Sequence, residues 1–192
     1  MAAAFESYFR EQGKLNEADI EQMISMAEIK MLHRNELLLQ QGQVSRHKIF
    51  VVKGLLRMYG EMENGSEHTL RFSPENSWTL DVESYDLQAP AKSNIAAVED
   101  SEVLLWKKAD FEHLLATMPQ LNALSKLVIS QNIYNSRKRL AIALSATPEE
   151  KYDDFIQTYP GLLSRVPLRM IASYLGISLK TLTRIRHAQV HR

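Results

Sequence analysis

RVPLRMIASYLGISLKTLTRIR, residues 165–186, reads as two short helices joined by a tight turn. Pro167 suits the start of the first helix, because its fixed φ matches a first turn. Gly176 ends that helix by accepting a left-handed backbone, and Ser178 is placed to cap a second helix from about Leu179 to His187. Ile171, Leu175, Ile177, Leu182 and Ile185 supply the apolar contacts that hold the pair at a steep angle, with the small Ala172 at the closest approach. On the second helix Lys180, Thr183, Arg184 and His187 recur at i, i+3, i+4 and i+7, one polar side opposite that core. Such side chains reach base edges and phosphates in a major groove. Arg169 on the first helix, and Ser178 and Thr181 at the start of the second, complete the expected DNA-binding set. An ordinary amphipathic surface helix is the bland alternative.

Charge supports the DNA reading. Beyond Asp154 there is no Asp or Glu, while Arg165, Arg169, Lys180, Arg184, Arg186 and Arg192 are all basic. With a net charge of zero, the preceding 154 residues carry −6. A small basic module on an acidic body is the layout of a nucleic-acid binder, because phosphates supply most of the attraction.

Composition excludes several other classes. The 192 residues contain no cysteine, which removes disulfides, thiol nucleophiles and cysteine-held clusters. No stretch approaches the roughly 18 apolar residues of a membrane span, and the N-terminus lacks the pattern of a signal peptide, so a cytoplasmic location is expected. Six histidines, at 33, 47, 68, 113, 187 and 191, show no metal-ligand spacing. Neither a nucleotide-gripping glycine loop nor a nucleophile motif is present, so no enzyme is expected.

Upstream of the motif the texture changes twice. Residues 3–33 carry helical spacing, with Ile20, Met23, Ile24 and Ala27 as a buried stripe. From Glu36 to Lys107 come short β-rich runs: LLLQ, KIFVV, LLRMYG, HTLRF, NIAAV and EVLLW. Their spacing predicts an antiparallel sandwich or roll, and Asn64-Gly65 predicts a tight hairpin with both residues at positive φ. A short helix from Lys108 to Met118 closes this body. Pro119 then opens a helix to about Ala146, a rod of about 40 Å, too long to bury against a small roll. A dimer seam is its expected use, although Asn132, Asn135 and Arg137-Lys138-Arg139 interrupt the apolar pattern. Packing on its own domain is the competing use.

The order of these parts resembles the cyclic-AMP receptor protein and fumarate–nitrate regulator (Crp/Fnr) superfamily. KIFVVKGLLRMYG is similar to its strand-Gly-strand pattern, SNIAAVEDSEVLLWKKADFEHLL to its last roll strands and following helix, and RVPLRMIASYLGISLKTLTRIR to its DNA-reading motif. The resemblance spans residues 15–188. It implies an α+β fold with an N-terminal antiparallel β-roll (1–118), a dimerisation helix (119–146) and a helix-turn-helix domain (147–192). It also implies double-stranded DNA, a second copy of the chain and RNA polymerase as partners. The family's phosphate cassette departs here. Leu80 stands at its Gly, Asp81 at its Glu, and Lys92-Ser93 at its Arg-Ser pair. Leu denies the close backbone approach of Gly, and Lys lacks the planar fork of Arg. The pocket is therefore expected to be degenerate: cyclic AMP is disfavoured, no cofactor is required, and the chain either responds to another small ligand or works without one. The alternative is a small-ligand or cyclic-nucleotide sensor that does not bind DNA.

Overall fold

The computed structural model describes residues 2–190; His191, counted above among the histidines, and Arg192, counted with the basic tail, lie outside them. Two helices, α1 (Ala2–Glu11) and α2 (Glu17–Ser25), precede eight strands: β1 (Glu28–Leu32), β2 (Leu37–Leu39), β3 (His47–Lys53), β4 (Leu56–Glu61), β5 (Glu67–Ser73), β6 (Ser77–Thr79), β7 (Asn94–Ala97) and β8 (Ser101–Lys107). A short α3 (Val82–Leu87) lies between β6 and β7. Helices α4 (Lys108–Thr117) and α5 (Pro119–Ser145) follow, then α6 (Pro148–Thr158), α7 (Leu162–Arg165), α8 (Leu168–Leu175) and α9 (Leu179–Val190).

The strands form two antiparallel four-stranded sheets, ordered β1-β8-β3-β6 and β2-β7-β4-β5. Alternation along β3 sets the layers. Ile49 and Val51 point between the sheets with Leu56, Ile95, Val103 and Leu105. Phe50 and Val52 point outward, under the helices, with Phe5, Phe9, Trp78 and Trp106. Both faces of β3 are buried from Ile49 to Val52, which is why IFVV is continuously apolar. The Trp106 indole donates to the Met23 carbonyl at 2.8 Å, fixing α2 on the first sheet.

Two local expectations are corrected. The N-terminal helices end by Met26, and residues 28–32 form β1, so Ala27 lies beyond the helical stripe while Ile20 and Met23 are buried within it. Backbone pairing of Glu28–Leu32 with Ser101–Leu105 decides this segment, although Ile29 and Met31 remain exposed. At the β4–β5 hairpin only Gly65 has positive φ, at +76°, and Asn64 does not. The Gly65 amide donates to Met62 and the Met62 amide to Ser66, a three-residue turn ending in a glycine bulge. The Asn64 side-chain oxygen Oδ1 accepts from the Ser66 amide and hydroxyl instead.

Candidate nucleic-acid interface and effector cavity

Helices α6 to α9 pack around Tyr152, Phe155, Leu162, Ile171, Leu182 and Ile185. Thr147 and Glu150 close α6 with a reciprocal capping box. Gly176, at φ +65°, ends α8, and the Ile177 amide reaches back to the Ala172 carbonyl at 3.1 Å. The Ser178 hydroxyl accepts from the Thr181 amide at 3.0 Å, capping α9. These capping contacts join residues three to five apart, which is why the motif could be read from the sequence.

The polar side of α9 falls where the spacing puts it. Lys180, Arg184 and His187 are exposed, and Thr183 is half-buried with its hydroxyl donating to the Leu179 carbonyl. Ser178 and Thr181 are committed to the cap, their hydroxyl oxygens 2.8 Å apart. Arg169 is exposed on α8, beside the roll residues Arg57, Tyr59 and Glu67. The basic tail is less free than its composition implies. Arg184 lies 3.1 Å from the Glu149 carboxylate of α6. Arg165 is held between two roll carboxylates, forked on Glu75 at 2.7 and 3.0 Å and facing Glu99 at 3.2 Å.

The head is joined to the roll along β5, an edge strand of the second sheet. Ser173 of α8 accepts from the Thr69 amide at 2.8 Å and donates to the Glu67 carbonyl at 2.7 Å. Arg139 of α5 donates to the carbonyls of Leu70, Thr69 and Tyr174, and stacks 3.9 Å from the Tyr174 ring centre. Phe72 of β5 meets Phe155, Tyr159 and Tyr174 of the head. Lys138 pairs with Asp154 of α6 at 2.6 Å. The Arg137-Lys138-Arg139 run thus includes two intramolecular ties. Sequence reasoning missed Arg139, Arg165, Ser173 and Tyr174 because their partners are distant in the chain.

The four cassette residues do not form one pocket. Asp81 caps α3, accepting from the Ser84 amide at 3.1 Å, and its other oxygen accepts from the Ser93 hydroxyl at 2.7 Å. Lys92 turns outward onto Glu83 at 2.7 Å, a contact that raises its pKa. Only Leu80 borders a cavity, of about 570 Å³, bounded by β3, β5, β6, α3, α4 and α5.

Residues 29–118 match the cyclic nucleotide-binding domain family. Compared by sequence with curated proteins, the chain has no significant match. By structure it is similar to FixK2 of Bradyrhizobium japonicum, with 17% identity and a TM-score of 0.74 over 86% of this chain and 84% of that one. It is similar to CLP of Xanthomonas campestris, a c-di-GMP responsive global regulator, with 10% identity and a TM-score of 0.75 over 92% and 93%. A protein of Eubacterium rectale described as a Crp/Fnr-family regulator gives 15% identity and a TM-score of 0.71 over 96% and 88%. Residues 29–118 thus resemble a cyclic nucleotide-binding domain, and the chain as a whole shares the fold of these three proteins. No helix among the described residues is long and apolar enough to cross a membrane.

Proposed function

We infer that the chain is a transcription regulator that binds a two-fold symmetric DNA site as a homodimer. Residues 1–118 act as the effector roll, 119–146 as the dimer helix and 147–192 as the reading head. The observation that carries this reading is α9 itself: a capped second helix whose outward side presents Lys180, Arg184 and His187. Lys180 and Arg184 contact bases or nearby phosphates with Thr183 in support, His187 extends the same face, and Arg169 contacts the backbone. Ser178 and Thr181 position the helix start, the Ser178 hydroxyl accepting from the Thr181 amide. Along α5, Ile129, Ile133, Leu140 and Leu144 are exposed on one face at spacings of four, seven and four, which supports a two-helix seam.

Selection from randomised duplexes tests the function directly. A two-fold symmetric site with half-sites about 34 Å apart is expected. Affinity for random duplex falls as salt rises, as a phosphate-dominated contact requires. Enrichment of no sequence, together with salt-independent binding, leaves the sensor without DNA contact as the better reading.

A further inference from the structure

The cavity between the roll and α5 has two chemically distinct linings. Trp78, Phe111, Leu121, Leu124, Val128 and Ile133 make it apolar on one side. Lys48 of β3, Arg71 of β5 and Arg137 of α5 bring three cations to it from three elements. None of the three takes part in an ion pair found among the described residues. Lys48 and Arg71 are half-buried, and burial pushes both below their ordinary pKa values, with Asp86 pulling Lys48 back. The Lys48 ammonium rests against rings instead, 5.7 Å from the centre of Trp78 and 5.5 Å from that of Phe111.

A third observation concerns a neutral donor. Tyr85 of α3 lines the same cavity, and its hydroxyl is buried without a hydrogen-bond partner among the described residues. Burial, with Glu112 and Asp86 nearby, pushes it up to about 12, so it keeps its proton at neutral pH. Buried polar atoms without partners are uncommon and point to a missing ligand, ion or water. Asp86 is the one carboxylate on the lining, and it sits exposed on α3. The excess is therefore of cations and donors beside an apolar wall.

We propose that this cavity binds an organic carboxylate with an apolar body of fatty-acyl or aryl-alkyl size, its head group toward Arg71, Lys48 and Tyr85. A cavity of this size is ordinary for such a ligand. A free anion there relieves the cost of half-buried cations without counter-charge. The cassette offers nothing comparable, since Asp81 and Ser93 bond each other and Lys92 is spent on Glu83. It rests on the reading of the chain as a ligand-responsive regulator, and it assigns the class of effector.

The test is titration calorimetry with tryptophan fluorescence on the full chain without DNA, using decanoate, 1-decanol, inorganic phosphate and cyclic AMP as probes. One decanoate per chain is expected, bound about tenfold or more tightly than 1-decanol, which lacks the charge-assisted contacts. Phosphate, without the apolar body, does not saturate. Arg71→Met and Lys48→Met each weaken decanoate about tenfold, Tyr85→Phe weakens it less, and Lys92→Ala leaves it unchanged. Should Arg71→Met fail to fold by its melting curve, the decanoate–decanol comparison on the native chain still decides. Decanol binding as tightly as decanoate, phosphate matching decanoate, or cyclic AMP binding that is lost in Lys92→Ala each overturns the proposal. With DNA absent, failure here leaves the DNA reading standing, and failure of the duplex selection leaves this binding result standing.

Discussion

Arg184 must leave the Glu149 carboxylate if it is to fork onto a guanine. The pair is exposed on both sides, so the competition is weak, below about 1 kcal/mol. Two outcomes follow in a duplex-binding titration. Arg184→Ala costs about 1–3 kcal/mol per half-site and relaxes preference at one base pair. Glu149→Gln tightens binding slightly and keeps preference intact. An Arg184→Ala variant with unchanged affinity and preference moves the reading face elsewhere. Arg169→Ala weakens all sequences alike, since phosphates carry no sequence. At Gly54, between β3 and β4, the backbone sits at φ +91°, and an added Cβ would stand 2.7 Å from the Asp100 carbonyl oxygen. Gly54→Ala is expected to lower stability by about 1–3 kcal/mol in denaturant unfolding. What a single residue is for was legible where its partner is close by, as with Gly176 and Ser178. It was not legible for Arg165, whose charge is neutralised by carboxylates 90 and 66 positions away.

Among the elements, α9 and α5 carry the function proposed here. Ser178→Ala removes the one side-chain cap seen at the start of α9 and should cost about 0.5–2 kcal/mol of stability. The exposed row on α5 makes a sharper prediction. Leu140→Glu with Leu144→Glu, both exposed in the single chain and clear of the cavity, should leave the fold intact and shift sedimentation from dimer to monomer. A native chain that sediments as a monomer at micromolar concentration with DNA present removes the seam. The helices and the alternation of β3 could be read because their periods lie within a few residues. The assignment of residues 28–32 to a strand could not, because an exposed edge segment is decided by its β8 partner. The cavity was likewise out of reach. Lys48, Arg71 and Arg137 share no spacing, and folding alone gathers them, whereas the cassette stretch that drew the eye is closed by its own side chains.

Across the whole molecule, head and roll share one apolar cluster in which Leu55, Phe72 and Val98 meet the helices. The Arg165 fork locks its rim. Burial by itself would raise the Glu75 carboxyl, but hydrogen bonds from Arg165 and the Gly54 amide hold it below the ordinary carboxylate range. A depressed carboxyl contributes fully above its unfolded value and loses that contribution as pH falls through the folded one. Acidification below the usual carboxylate range should therefore loosen the head before the roll, read as earlier amide exchange in α8 than in β3. Simultaneous loss of protection in both would place the Glu75–Arg165 contact outside the linkage.

Ser173 and Arg139 occupy hydrogen-bonding groups that an edge strand otherwise offers to any passing chain. A head lifted from β5 leaves the Thr69 amide and the Glu67 carbonyl bare, and bare strand edges recruit one another. Domain release and self-association are then two faces of one event. Light scattering becomes a gauge of conformation, and a second protein offering a strand could capture the chain only while its head is raised.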